Sequence, residues 1–325
     1  MICNEIKKDS PEYFKRSWRV PCQELRDIGW IIVDQSEIKV KLNCFFIDQY
    51  HEIPEVILFW NVNTLIKDNL DNIFQLKSIK CIYMDDLHQK SSKVKEYRNL
   101  IINKFDYVFS TCAYVFQKFY PQASMDKVIW YPHSIKNEFH VPFNDNPINK
   151  VLLSGIIEKN IYPFRYHALM LAKTNKYPIA VLDQLTYKKP KHQYFGHEYI
   201  KYMSKYGAAI TCCSTANTPY IVAKFFEIPA SGALLMAYDE HVKEPLLALG
   251  FIDGENYISV NYQNFIQKIL FVTDPKNKPI IDQIRKNGYD LVWEKHTTQY
   301  RVGIIQRISS IEEMTTLNSI KGYLL

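Results

Sequence analysis

The sequence has no run approaching the roughly eighteen apolar residues that a membrane helix requires, and residues 1–20 hold no apolar core of signal-peptide length. It also lacks any Cys-x-x-Cys spacing. Its seven cysteines, at positions 3, 22, 44, 81, 112, 212 and 213, are odd in number and sit mostly in apolar stretches. That usage argues against a disulfide framework or a zinc site and implies free thiols in a reducing compartment. Blocks of like charge are missing as well. Lysine and arginine total 40 against 34 acidic residues, a net +6, but the charges are scattered. Such scatter fits a solvated surface and an anionic substrate better than a nucleic-acid partner. Neither an internal repeat nor a low-complexity tract interrupts the chain. These absences lead to the expectation of a soluble, cytoplasmic protein without a membrane span.

What is present is material for two cores: 325 residues, 47% hydrophobic and 14% aromatic, enough for two domains of ordinary size. Gly29–Val33 reads as the first strand or its neighbour. Apolar runs at Phe45–Ile47, Val56–Trp60, Ile79–Met84 and Tyr107–Phe109 follow, separated by more polar, helix-like stretches. That alternation predicts a doubly wound parallel α/β sheet. Turn chemistry from Pro142 to Pro147 marks a boundary, after which Lys150–Leu153, Ile179–Leu182 and Ala208–Cys213 repeat the pattern. Ligands of such sheets gather beyond the carboxyl ends of strands, so the residues that follow each run are the candidates. After Met84 come Asp85, Asp86 and His88, which either position a hydroxyl substrate or, more plainly, cap a helix and lie exposed. His133 follows Val128–Trp130 and reads either as a cleft hydrogen-bonding group or as a structural histidine. Lys150–Leu153 runs into Ser154 and Gly155, a small-residue turn where backbone can approach a diphosphate, and Arg165 follows on the next helix.

The most informative stretch is Tyr220–Ala237. Ile221, Val222, Phe225, Phe226 and Ile228 fall near helical spacing, with Lys224 and Glu227 three residues apart on the surface between them. Pro229 and Gly232 then close the helix ahead of a short apolar strand, Ala233–Ala237. A glutamate can accept two hydrogen bonds from a vicinal diol, and the backbone of Ser231, Gly232 and Ala233 could offer N–H groups to phosphate. The alternative is a Lys-Glu pair on an ordinary solvated helix face.

Lys224-Phe-Phe-Glu-Ile-Pro-Ala-Ser-Gly-Ala-Leu-Leu resembles the signature helix of nucleotide-sugar glycosyltransferases with the GT-B fold, most nearly the spore-maturation-type branch. Tyr162-Pro-x-Arg165 after the Ser-Gly turn, Asp85-Asp86-x-His88, and His296-Thr297 followed by Arg301 are similar to the same branch. The resemblance covers most of the chain, strongest from 150 to 301. It implies two Rossmann-like domains facing a cleft: an acceptor domain over 1–145, a donor domain over 146–303, and a helical segment over 304–325 packing back on the first domain. It implies transfer of a sugar from a UDP- or GDP-type donor to a hydroxyl of a glycan or protein-linked glycan, with no cofactor or metal required. Glu227 would grip the ribose, Arg165 and Lys224 would oppose the diphosphate, and Asp86, His88 and His133 would serve the chemistry. Thr218 would face the donor sugar, Tyr194 or Phe195 would stack on the base, and Trp18 and Arg19 would meet the acceptor. One departure stands out. The family often carries a second glutamate eight positions before the ribose-binding one, and here Pro219 occupies that position. A nucleotide-sugar epimerase of the same fold, or a non-catalytic sugar- or nucleotide-binding module, are the competing readings.

Overall fold

The computed structural model describes residues 1–3, 21–60, 63–88, 91–182 and 194–309. Trp18 and Arg19 lie outside the described residues. The chain divides into two compact units, the first built from Met1–Pro132 and joined again from Val302, the second from His133–Arg301.

The first unit is a six-stranded parallel sheet in the order β2-β1-β3-β4-β5-β6. These strands are Ile2–Cys3, Val33–Asp34, Val56–Trp60, Ile79–Met84, Tyr107–Ser110 and Val128–Trp130, numbered β1 to β6 along the chain. Side chains alternate across a strand, so Leu58, Trp60, Cys81, Tyr83, Phe109 and Ile129 gather in one buried cluster, which Val302, Ile304 and Ile305 join. Trp60 and Tyr83 are register partners and stack with ring centroids 3.8 Å apart. On the other face Phe59 and Phe74 both meet Phe105 edge-on. Burial of both faces explains why the strands read as unbroken apolar runs.

Two expectations are corrected here. Phe45–Ile47 is part of a helix, Leu42–Tyr50, whose buried residues Leu42, Phe45 and Phe46 follow the 3.6 period. Three apolar residues are too few to separate that period from a strand's. Gly29–Val33 is mostly turn and loop, with only Val33 entering a strand, and the sheet's inner strand at this edge is Ile2–Cys3.

The second unit is a five-stranded parallel sheet in the order β11-β10-β9-β7-β8. Its strands are Ile148–Leu153 (β7), Ile179–Val181 (β8), Tyr206–Cys212 (β9), Leu234–Tyr238 (β10) and Ile258–Val260 (β11). From β7 the chain steps outward to β8 and then returns to the opposite side as β9, so the order reverses between β7 and β9. In open α/β sheets that reversal opens a crevice at the carboxyl ends of the two strands.

Buried polar residues fasten this unit. From helix Lys278–Lys295, Arg285 donates to the Gly232 carbonyl at 3.0 Å and the Asn144 carbonyl at 2.8 Å, and pairs with Asp282 at 2.7 Å. His296 lies 3% exposed between Phe226 and Phe251. Its Nε2 is 2.8 Å from the Leu249 carbonyl, and Arg301 donates to its Nδ1. That arrangement requires the neutral ring with its proton on Nε2. The His-Thr-x-x-x-Arg motif therefore has a structural role: its histidine and arginine brace the start of helix Thr298–Ser309.

Burial, reinforced by the Arg301 charge, holds the His296 pKa down at about 3. Between about 3 and the ordinary value of roughly 6.5 the unfolded chain binds a proton that the folded one excludes, so stability falls as pH falls through that window. The folding equilibrium should lose up to about tenfold per pH unit from this residue alone. Urea unfolding at pH 5 and pH 7 should show a steeper acid loss for wild type than for His296→Gln, whose amide can replace both hydrogen bonds. Equal pH dependence would contradict the assignment.

Candidate active site

β7 ends at Leu153 and the chain turns through Ser154 and Gly155, the latter at φ +89°. Glycine is required there twice over. A side chain at that φ is strained, and a Cβ would lie 2.3 Å from Cε of Lys224, 3.3 Å from its Nζ and 3.5 Å from an Arg165 guanidinium nitrogen. Two cations from different helices thus converge on the space above one glycine, at the end of the strand that borders the reversal.

Arg165 comes from helix Pro163–Lys173, which starts with proline at its first position. It is 3% exposed. Its guanidinium donates to the Thr211 hydroxyl at 3.0 Å and the Ile156 carbonyl at 3.3 Å, and lies 4.1 Å from the Tyr162 ring centroid. Thr211 belongs to β9, the other strand at the reversal. Nε of Arg165 is buried without a hydrogen-bond partner, and among the described residues no carboxylate pairs with this arginine.

Lys224 opens helix Lys224–Ala230 and is 8% exposed. Its ammonium donates to the Tyr199 hydroxyl, sits 4.3 Å from that ring's centroid, and lies 3.5 Å from a Glu227 carboxylate oxygen. The signature pair is therefore largely buried, with side chains 11% and 14% accessible, and not on a solvated face. The helix also begins three residues later than the apolar spacing suggests and runs through Pro229 to Ala230, with Gly232 at φ +78° ending it. Proline is accommodated because it costs this seven-residue helix a single bond near its end.

The structure does not assemble the expected phosphate-binding backbone after this helix. The Ser231 amide donates to the Glu227 and Ile228 carbonyls, that of Gly232 to the Pro229 carbonyl at 2.8 Å, and that of Ala233 to the Ser231 hydroxyl at 3.3 Å. All three residues are buried. Their N–H groups are taken up within the chain at the end of the helix, and it is at the Gly155 turn that two cations converge. Ser154 is likewise enclosed, its hydroxyl paired with Tyr199 at 2.7 Å. Thr218 is half-buried in the loop after β9 and donates to the Ser214 hydroxyl at 3.0 Å, while Pro219 is buried beside it. Tyr194 is 36% exposed with its ring 4.5 Å from that of Tyr202, and Phe195 flanks helix Gly196–Met203.

In the first unit, Asp86 and His88 follow β4 and are exposed. Asp86 holds a left-handed φ of +45°, uncommon outside glycine. The turn is fixed from beneath: buried Arg98 donates to the Asp85 and Asp86 carbonyls at 3.4 and 3.2 Å, and Thr111 donates to the Asp85 carboxylate at 3.0 Å. The next described helix, Ser92–Ile102, has Ser91 and not Asp86 at its N-cap position. His133 is half-buried and belongs to the second unit, apart from the domain its position suggested. Among the described residues no group of three or more His, Cys, Asp or Glu could hold a metal ion, and no helix is long and apolar enough to cross a membrane.

Residues 171–307 match the family model described as glycosyl transferase-like. The whole chain is similar in fold to Anabaena HepE, solved with UDP and glucose, at a TM-score of 0.59 and 12% identity over 95% of this chain and 99% of that one. A glycosyltransferase from Rickettsia africae aligns at a TM-score of 0.57 and 12% identity over 88% and 86% of the two chains. An α-glucosyltransferase solved with UDP-glucose and DNA containing an abasic site aligns at 0.53 and 12% over 85% of each. The chain thus shares the two-sheet fold of these glycosyltransferases, and its residues 171–307 are similar to a glycosyl transferase-like domain. No curated protein sequence matches the chain significantly. The narrower likeness to the spore-maturation branch stays a comparison of motifs.

Within this glycosyltransferase fold, sequence reasoning overlooked Tyr199 and Thr211 and gave Tyr162 no role of its own. Nothing local separates Tyr199 from the chain's other 22 tyrosines. Its importance comes from the helix docking that places its hydroxyl between Ser154 and Lys224. Gly155→Ala should push the lysine stem aside. The expected result is at least tenfold weaker nucleotide binding, with a stability loss of only about 1–2 kcal/mol from the positive φ. Calorimetric titration alongside thermal melting checks this, and unaltered binding would show that the placement of Lys224 beside Gly155 does not serve the ligand.

Proposed function

We propose that the protein transfers a glycosyl group from a nucleoside diphosphate sugar to a hydroxyl acceptor. The observation that carries this reading is the charge balance at Gly155. Among the described residues two largely buried cations, Arg165 and Lys224, share a single carboxylate, Glu227, which pairs with the lysine, and an Arg165 guanidinium N–H stays unpartnered. Burying unpaired charge is costly, and a diphosphate is the anion whose shape and charge fit a small-residue turn flanked by two cations.

In the reaction the sugar's anomeric carbon loses its bond to the diphosphate oxygen and gains one to the acceptor oxygen, whose proton leaves. Negative charge grows on the departing diphosphate. Arg165 and Lys224 are held in place before the reaction, so they would stabilise that charge without reorganising, a contribution largest in the transition state. Glu227 would accept hydrogen bonds from the ribose hydroxyls. Thr218 and its hydroxyl neighbours would face the sugar where the family's usual acid is replaced by Pro219. Asp86 and His88, on a turn braced by Arg98, are the candidates for orienting the acceptor hydroxyl. UDP is the first nucleotide to test, because HepE and the α-glucosyltransferase are described with UDP or UDP-glucose.

Glu227→Ala should weaken nucleoside diphosphate binding by on the order of 1.5–3 kcal/mol, as expected for hydrogen bonds to a charged group. Equal affinity in a folded variant would remove the ribose assignment. Arg165→Ala should instead lower the rate of transfer by roughly 10²–10³ with a smaller effect on donor affinity. The assay is acceptor-dependent release of nucleoside diphosphate. Sugar isomerisation without an acceptor would point to an epimerase, and binding without turnover to a non-catalytic module.

A further inference from the structure

Among the described residues the Lys224 ammonium has two partners of opposite consequence. Glu227, three residues on in the same helix, attracts it at 3.5 Å. That ion pair pulls the ammonium along its own helix and offsets part of the charge at the Gly155 turn. The second partner is the Tyr199 phenol, which comes from helix Gly196–Met203 and accepts a hydrogen bond from Lys224. An ammonium has no lone pair, so the tyrosine oxygen is the acceptor, and its own proton remains available for the Ser154 hydroxyl 2.7 Å away. Ser154 is fully buried at the end of β7, next to Gly155. The phenol therefore links the lysine to the strand end that forms the turn. Its ring adds to this, with the ammonium 4.3 Å from the ring centroid, within the range of a cation–π contact.

We infer that Tyr199 is a positioning residue, which holds the Lys224 ammonium at the Gly155 turn for the diphosphate against the pull of Glu227. This deepens the proposed reading and rests on it. Tyr199 does not touch the nucleotide in this role. It acts through Lys224, and Ser154 fixes the phenol in turn. Three groups from three elements then have one geometric purpose: the strand end supplies the glycine space, the signature helix the charge, and the intervening helix the tether. A tyrosine suits the position better than an acid, because a carboxylate there would neutralise the lysine while it held it.

The test is a double-mutant cycle on nucleotide affinity, by calorimetry on the full chain with UDP, or GDP if only that binds wild type. The matching monophosphate serves as control. Free nucleoside diphosphate carries the charge that the leaving group acquires, so it reports on Lys224 directly. Tyr199→Phe keeps the ring and removes the hydroxyl, and should weaken diphosphate binding by roughly tenfold, the scale of one hydrogen bond to a charged group. Monophosphate binding should change less than twofold. Ser154→Ala should give a smaller loss in the same direction. In a Lys224→Met background, Tyr199→Phe should have no further effect on affinity, since the proposed route runs through the lysine. Losses that multiply in the double variant would overturn the inference, as would equal losses for mono- and diphosphate, which indicate a general packing defect. If wild type binds the diphosphate and Lys224→Met weakens it while Tyr199→Phe does not, the tether alone is refuted. If wild type binds neither UDP nor GDP, the reading beneath it falls too.

Discussion

The second unit depends on the placement of two cations in a space where water cannot fully solvate them. Arg165 and Lys224 lie 3% and 8% exposed around the position where Gly155 lacks a side chain, with Glu227 as the one carboxylate that meets either of them among the described residues. Burial of this kind is unfavourable unless the surroundings supply acceptors or a ligand does. The surroundings go part of the way, through the Thr211 hydroxyl, the Ile156 carbonyl, the Tyr199 phenol and two aromatic faces. A ligand of high negative charge would supply the rest. Because a parallel sheet whose order reverses between β7 and β9 leaves its crevice at those strand ends, topology and electrostatics point to the same place.

The remainder of the unit holds that crevice steady. Arg285 joins helix Lys278–Lys295 to the Gly232 carbonyl, where the signature helix ends, and to Asn144 before β7. His296, neutral and wedged between Phe226 and Phe251, secures the other side of the same helix. Both residues act within the core, so their effect on any ligand is indirect: they fix the signature helix, and the helix fixes Lys224 and Glu227.

Much of this was legible in the sequence, for identifiable reasons. Apolar runs such as Val56–Trp60 and Leu234–Tyr238 are buried on both faces and leave a strong signal. Lys224 and Glu227 stand out as lone charges in an apolar stretch, and Ser154-Gly155 as small residues at a strand end. The failures share one cause, which is that tertiary packing and not local pattern decided the outcome. Phe45–Ile47 is too short to reveal its period. Ile2–Cys3 becomes a strand only because β2 and β3 flank it. The amides of Ser231, Gly232 and Ala233 looked available because sequence does not show that they are used in ending the helix. Tyr199 could not be found at all before the helix carrying it was docked against β7.

The central claim is that the Gly155 turn with Arg165 and Lys224 is a diphosphate site, and a crystal structure of the chain with UDP tests it most directly. The account predicts the diphosphate within hydrogen-bonding distance of the Arg165 guanidinium and the Lys224 ammonium, with the ribose at Glu227. UDP bound elsewhere, with no phosphate oxygen near the Arg165 guanidinium or the Lys224 ammonium, would contradict it.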